Sequence, residues 1–174
     1  DFVGDPGLGK STLLIDLVAR VTTGRRMPDD PQIREPAYAV ILAGEDDPGQ
    51  TIRPRLDNAG ADVNKVLYLD ASTTDTGPSF PLSLPNDLDE LDRVLYSLDA
   101  KLLVMDPLSI FLGESVDSNN DTSVRVVLSK LKAIAEKHNM AVAMARHRVK
   151  SRDTDPLRTG QGSMGILGAA RFGF

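Results

Sequence analysis

The chain of 174 residues has no cysteine and no tryptophan. Without cysteine there is neither a disulfide nor a thiolate metal site, and a reducing, cytoplasmic setting is expected. No apolar run approaches the roughly 20 residues of a membrane span, and no signal peptide is visible, so no membrane partner is expected. Positive charge is also short, with 20 Lys and Arg against 25 Asp and Glu and a net charge of -5. That balance argues against coating nucleic acid over the whole surface and leaves room for a local basic patch. Internal repeats and low-complexity tracts are missing too. What is present is an ordinary globular composition, 41% hydrophobic and 26% charged, in a length that fits one domain with a real core. The opening "DFVGDPG" reads as a strand already entering a loop, and "AARFGF" as the middle of a strand. Residues 1–174 are therefore expected to be a single core domain, cut short at both ends.

Apolar spacing predicts a helix from Lys10 to Gly24 through Leu13, Leu14, Leu17, Val18 and Val21, with Gly24 as its C-terminal cap. Arg25 to Pro36 is polar and proline-rich, a surface connection. "AYAVILA" (Ala37 to Ala43) is a continuous apolar run, as in a strand covered on both faces. A short helix follows from Pro48 to Gly60, then a strand "KVLYLD" (Lys65 to Asp70) and a loop from Ala71 to Pro85. Asn86 is the expected N-cap of a helix burying Leu88, Leu91, Leu95 and Leu98. "KLLVMD" (Lys101 to Asp106) and "MAVAMA" (Met140 to Ala145) read as strands around an amphipathic helix, Thr122 to His138. Strands alternating with helices specify an α/β fold with a mostly parallel central sheet and helices on both faces. In such sheets ligands bind beyond the carboxyl ends of the strands.

"GDPGLGKS", Gly4 to Ser11, satisfies G-x-x-x-x-G-K-S/T in full. Glycines at 4, 7 and 9 let the backbone turn its N–H groups inward around phosphates, with Asp5, Pro6 and Leu8 between them. Lys10 supplies charge to the β- and γ-phosphates, the Ser11 hydroxyl can ligate Mg²⁺, and the helix that starts there, with Thr12 in its first turn, adds its positive end. A metal also needs an acid, and Asp106 closes a buried strand, as in the Walker B pattern. ATP and Mg²⁺ are the implied cofactors.

Asp106 is followed by Pro107, so the base of a hydrolase must come from another strand end. Glu45 in "AGEDDPGQ" leaves the first strand after the phosphate-loop helix and should face the same crevice, within reach of a water at the γ-phosphate. Asp46 and Asp47 read instead as caps for the helix at Pro48. A GTPase is disfavoured because no N-K-x-D follows Asn64 and Asp106 does not start D-x-x-G. A small-molecule phosphotransferase, or a nucleotide-binding module without turnover, remains an alternative.

The chain resembles the RecA-like P-loop ATPases of the plasmid RepA-type hexameric helicase group. The resemblance runs through "GDPGLGKSTLLIDLVARVTTG", "AGEDDPGQTIRPRL", "LLVMDPLSIFLG", "ARHRVKS" and "GQGSMGILGAARFGF", in that group's order. It implies a ring, usually a hexamer, that hydrolyses ATP between subunits and moves on or remodels DNA. It also implies that Lys10 and Ser11 hold phosphate and Mg²⁺, that Asp106 holds the metal's water shell and that Glu45 is the base. His147 would be a γ-phosphate sensor, Arg171 an arginine finger, and Arg55 would pack on the adenine. On the residues alone, His147 reads as part of a solvated basic turn, Arg171 as a surface charge, and Arg53 and Arg55 as the exposed face of a short helix.

"RHRVKSR" gathers Arg146, Arg148, Lys150 and Arg152 against the overall negative charge. Such a loop can contact single-stranded DNA phosphates in a ring channel. It has no aromatic for base stacking, and a solvated charged loop explains it nearly as well.

Overall fold

A computed structural model describes residues 1–5, 7–70, 82–113, 116 and 121–147. "AVILA" forms strand β2 (Ala39–Ala43) with every residue buried. "LLVMD" forms β4 (Leu102–Asp106), four residues buried and the terminal acid half-buried. Around them, in chain order, stand β1 (Phe2–Gly4), α1 (Lys10–Thr23), α2 (Arg53–Ala59), β3 (Val66–Asp70), α3 (Leu88–Ser97), α4 (Asp121–His138) and β5 (Ala141–His147).

The described strands form a five-stranded sheet in the order β1-β5-β4-β2-β3, every pairing parallel. The chain first winds outward from β1 to β3, then returns through β4 to β5. Right-handed crossovers then require the first helices on one face and the later ones on the other. The two hydrophobic clusters follow this division. Leu14, Ile15 and Val18 of α1 and Leu56 of α2 pack with Ala39, Ile41, Ala43, Leu102 and Val104. Leu88, Leu91 and Leu95 of α3 and Val124, Val127, Leu128 and Leu131 of α4 pack with Val40, Leu42, Leu103 and Met105. Alternate residues of β2 and β4 thus serve opposite faces, which is why β2 is apolar throughout and β4 is apolar up to its terminal acid.

Several expected boundaries move. β5 runs on to His147 because Val3 and Gly4 of β1 pair with Arg146 and His147 and extend it. The segment after β2 is not one helix: Pro48–Ile52 is a π turn that leads into α2. Asp87, rather than Asn86, stands at the N-cap of α3. The Asp87 carboxylate accepts from the Ser83 backbone N–H at 2.7 Å. Leu13, expected on the buried stripe of α1, is 54% exposed.

Gly24 does cap α1, in the left-handed region at φ 70°. A Cβ there would lie 2.1 Å from the Arg34 carbonyl oxygen, and the Arg34 N–H donates to the Gly24 carbonyl at 3.2 Å. Gly24→Ala is therefore expected to cost more than the roughly 1–2 kcal/mol of left-handed strain alone, because the 25–36 connection must also shift. A thermal melt of the variant checks this; an unchanged midpoint would contradict it.

No helix among the described residues is long and apolar enough to cross a membrane.

Candidate functional site

β1 ends at the buried Gly4 and delivers the chain into the glycine-rich turn. Gly7 and Gly9 stand at φ 83° and 84°, where a side chain is strained even though space around both is open. Gly9 is the N-cap of α1; it has no side chain to cap with, and no acid occupies the first turn. The leading N–H groups of α1 and the positive end of its dipole therefore suit an anionic ligand. Lys10 folds back on the turn, its Nζ donating to the carbonyls of Gly4 at 2.7 Å and Asp5 at 2.9 Å.

Across the cleft, the Ser11 hydroxyl lies near enough to the Asp106 carboxylate to favour its charged form. Burial pushes the Asp106 carboxyl above its ordinary value; Ser11 and Lys10 oppose the rise, while the negative Glu45 and Asp46 add to it. A raised folded pKa means that the native state binds this proton more tightly than the unfolded chain does. Asp106 thus lowers stability as pH rises from the ordinary Asp value through its raised folded value. Asp106→Asn is expected to melt higher than the native protein near neutral pH in the absence of nucleotide, while losing activity. A lower melting point would count against this charge balance.

No cluster of three His, Asp or Glu residues suited to hold a metal occurs among the described residues. The pair of a hydroxyl and one carboxylate still fits Mg²⁺, which keeps several waters and is held by one or two protein oxygens together with substrate phosphates.

Beyond β2 the chain turns sharply. Ala43 is in register with Asp106 of β4 on one side and with Asp70 of β3 on the other, so the next residues emerge beside the Asp106 strand end. Glu45, exposed at this turn, lines a cleft of about 330 Å³ together with Gly7, Gly9, Lys10, Ser11 and Asp106. Thr12, Ala43, Asp46 and Arg55 complete its wall. Arg55 donates to the Asp46 carboxylate at 2.6 Å. Asp47 alone takes the capping role expected of both acids, accepting from the Gln50 N–H at 2.5 Å.

The sequence profile of the AAA domain family matches residues 2–153. The chain belongs to that family. Membership agrees with the mostly parallel sheet of a RecA-like P-loop fold and implies nucleotide binding. Curated relatives include the "DNA repair protein RadA" from two strains of Mycobacterium tuberculosis, each 28% identical over 151 residues and 84% of this chain. That match covers 26% of RadA, so the chain spans about a quarter of the length of the curated relatives it matches.

In this AAA domain the residues expected to hold phosphate and metal and to act as base line one cleft, Gly7, Gly9, Lys10, Ser11, Thr12, Glu45 and Asp106, and Arg55, expected at the adenine, lines it too. Gly4 and Asp5 contribute through the carbonyls that hold Lys10. Leu8 differs, being 69% exposed and outside that wall. His147 is the last residue of β5, in register with Gly4 at the phosphate-loop edge.

Arg146 is a correction to the expected DNA-contacting group. Its side chain is only 3% exposed and faces the fully buried carboxylate of Asp1. A guanidinium paired inside the fold is not presented to DNA phosphates. Pro6, Arg148, Lys150, Arg152 and Arg171 lie outside the described residues.

Two residues of the site were not legible in the sequence as site residues. Asp46 enters the cleft through its pairing with Arg55, nine positions along. Tyr68 reads as an ordinary strand residue, yet its hydroxyl lies 3.3 Å from the Ala43 carbonyl and 3.2 Å from the Asp46 carbonyl. Nothing in local spacing signals either contact.

Proposed function

We propose that this AAA domain is the catalytic core of an Mg²⁺-dependent ATPase coupled to DNA, acting as a ring-forming helicase or a related replication or repair ATPase. The observation that carries the hydrolytic reading is the meeting of Lys10, the Ser11–Asp106 pair and Glu45 around one cleft at the carboxyl end of the sheet. In this reading the α1 amides and Lys10 bind the β- and γ-phosphates, the ammonium exchanging its backbone carbonyls for phosphate oxygens. Ser11 and Asp106 hold Mg²⁺, which when bound neutralises charge on those phosphates. Glu45 takes a proton from the water whose oxygen attacks the γ-phosphorus, as the bond to the bridging oxygen of the ADP leaving group breaks. Arg55, which lines the same cleft paired with Asp46, would pack on the adenine, as the resemblance to RepA-type helicases implies.

The link to DNA is supported by the similarity to RadA and by the basic run that continues past β5 at Arg148, Lys150 and Arg152. The ring, the arginine finger at Arg171 and the sensor at His147 rest on the sequence resemblance to RepA-type helicases. The test is ATP hydrolysis by the full-length protein with and without single-stranded DNA, together with its mass in solution. Phosphate released to water, faster with DNA and from an oligomer, is expected. Phosphate transferred to a small acceptor, with no DNA effect, would replace the motor with a phosphotransferase.

A further inference from the structure

The turn that carries Glu45 is pinned from both sides. Tyr68 stands on β3 in register with Ile41 of β2, and its ring packs in the cluster under α1 and α2. From there its hydroxyl reaches past the end of β2 to two carbonyls, Ala43 at 3.3 Å and Asp46 at 3.2 Å. These are the residues on either side of Gly44-Glu45. A hydroxyl has one proton, so the contact is a three-centre bond that ties the two ends of the turn to one point. The same turn is held at the Asp46 carboxylate by Arg55 at 2.6 Å and at Asp47 by the cap on Gln50. Tyr68 differs from Arg55 in one respect that matters: it is not among the residues that line the cleft, and its hydroxyl holds the backbone on either side of Gly44-Glu45.

We propose that Tyr68 is a positioning residue for hydrolysis, its hydroxyl clamping the Ala43 and Asp46 carbonyls so that the Glu45 carboxylate is held at the water-attack position. The proposal rests on the reading of Glu45 as the base. A base on a loop is useful only if its geometry is fixed, since a displacement of about 1 Å can cost on the order of a hundredfold in rate. Removing one hydroxyl leaves the ring and its packing in place while freeing the turn to widen. The effect therefore falls on the chemical step and not on the phosphate loop, which is built from β1 and α1.

The test is Tyr68→Phe, alone and combined with Glu45→Gln, in the full-length protein. Single-turnover hydrolysis, KM, nucleotide affinity and thermal midpoint are measured on each variant. Tyr68→Phe is expected to lower kcat about ten- to a hundredfold, with KM and ATP affinity within about twofold of native. On the Glu45→Gln background it should add little, because a clamp has nothing left to position. The same fold-loss on both backgrounds, or a loss matched by weaker ATP binding, would overturn the positioning role. So would a native rate in Tyr68→Phe alongside an inactive Glu45→Gln, which would leave the base reading intact. A native rate in Glu45→Gln would instead remove the base reading and the clamp with it.

Discussion

Glu45→Gln is expected to bind ATP with native affinity and to hydrolyse it about 10²–10⁴-fold more slowly, the range a positioned general base contributes. The amide keeps the size and one acceptor of the carboxylate but cannot take a proton from water. The other acids of the cleft are poor substitutes. Asp106 is engaged by the Ser11 hydroxyl and half-buried, and Asp46 is held by Arg55 at 2.6 Å. Pro107 fills the position after Asp106 where a neighbouring glutamate could have stood. Nucleotide affinity by titration and phosphate release in a single turnover separate binding from chemistry. Unchanged turnover would move the base elsewhere, and Asp46 is the next carboxylate along the wall.

The second large effect concerns stability. Arg146 grips Asp1 through a fork, Nε at 3.1 and 3.0 Å from the two carboxylate oxygens and Nη2 at 2.5 Å from one of them. Burial draws the guanidinium pKa downward, but an arginine remains charged, so the pair is ionic in the folded state. Arg146→Ala takes the guanidinium away from a carboxylate whose side chain is fully buried. The expected cost is about 3–5 kcal/mol, the range for breaking a buried ion pair on one side. Denaturant unfolding checks it, and Asp1→Asn on the same background should recover part of the loss, since no charge is then left unpaired. A residue that served DNA alone would give the opposite result, native stability with weaker DNA binding.

The two central strands were legible because both faces of each are covered: "AVILA" carries no polar position and "LLVMD" only its terminal acid. The phosphate loop was legible because backbone conformation and charge dictate its residue types. Gly7 and Gly9 stand at positive φ, and Lys10 and Ser11 form the first turn of α1, where phosphate and metal call for an ammonium and a hydroxyl. Burial within a charged cluster was not legible. The run from Arg146 to Arg152 looks solvated throughout, but strand pairing with β1 carries Arg146 into the interior, where Asp1 meets it. The π turn escaped for a similar reason. Its i→i+5 bond, Ile52 N–H to the Asp47 carbonyl at 3.1 Å, leaves no period in the sequence. The division of labour among Glu45, Asp46 and Asp47 depended on partners, Arg55 nine residues on and Gln50 three residues on. Only the nearer of these follows a local rule.

The fold-back of Lys10 bears on how a cycle would end. An ammonium abandoned in a cleft after phosphate departs would have to recruit solvent or cling to the product. Here the Gly4 and Asp5 carbonyls offer it a resting place within its own loop. In the proposed ATPase, letting go of product would then be an exchange of partners for the ammonium. The same exchange would set an incoming nucleotide in competition with two carbonyls for the lysine.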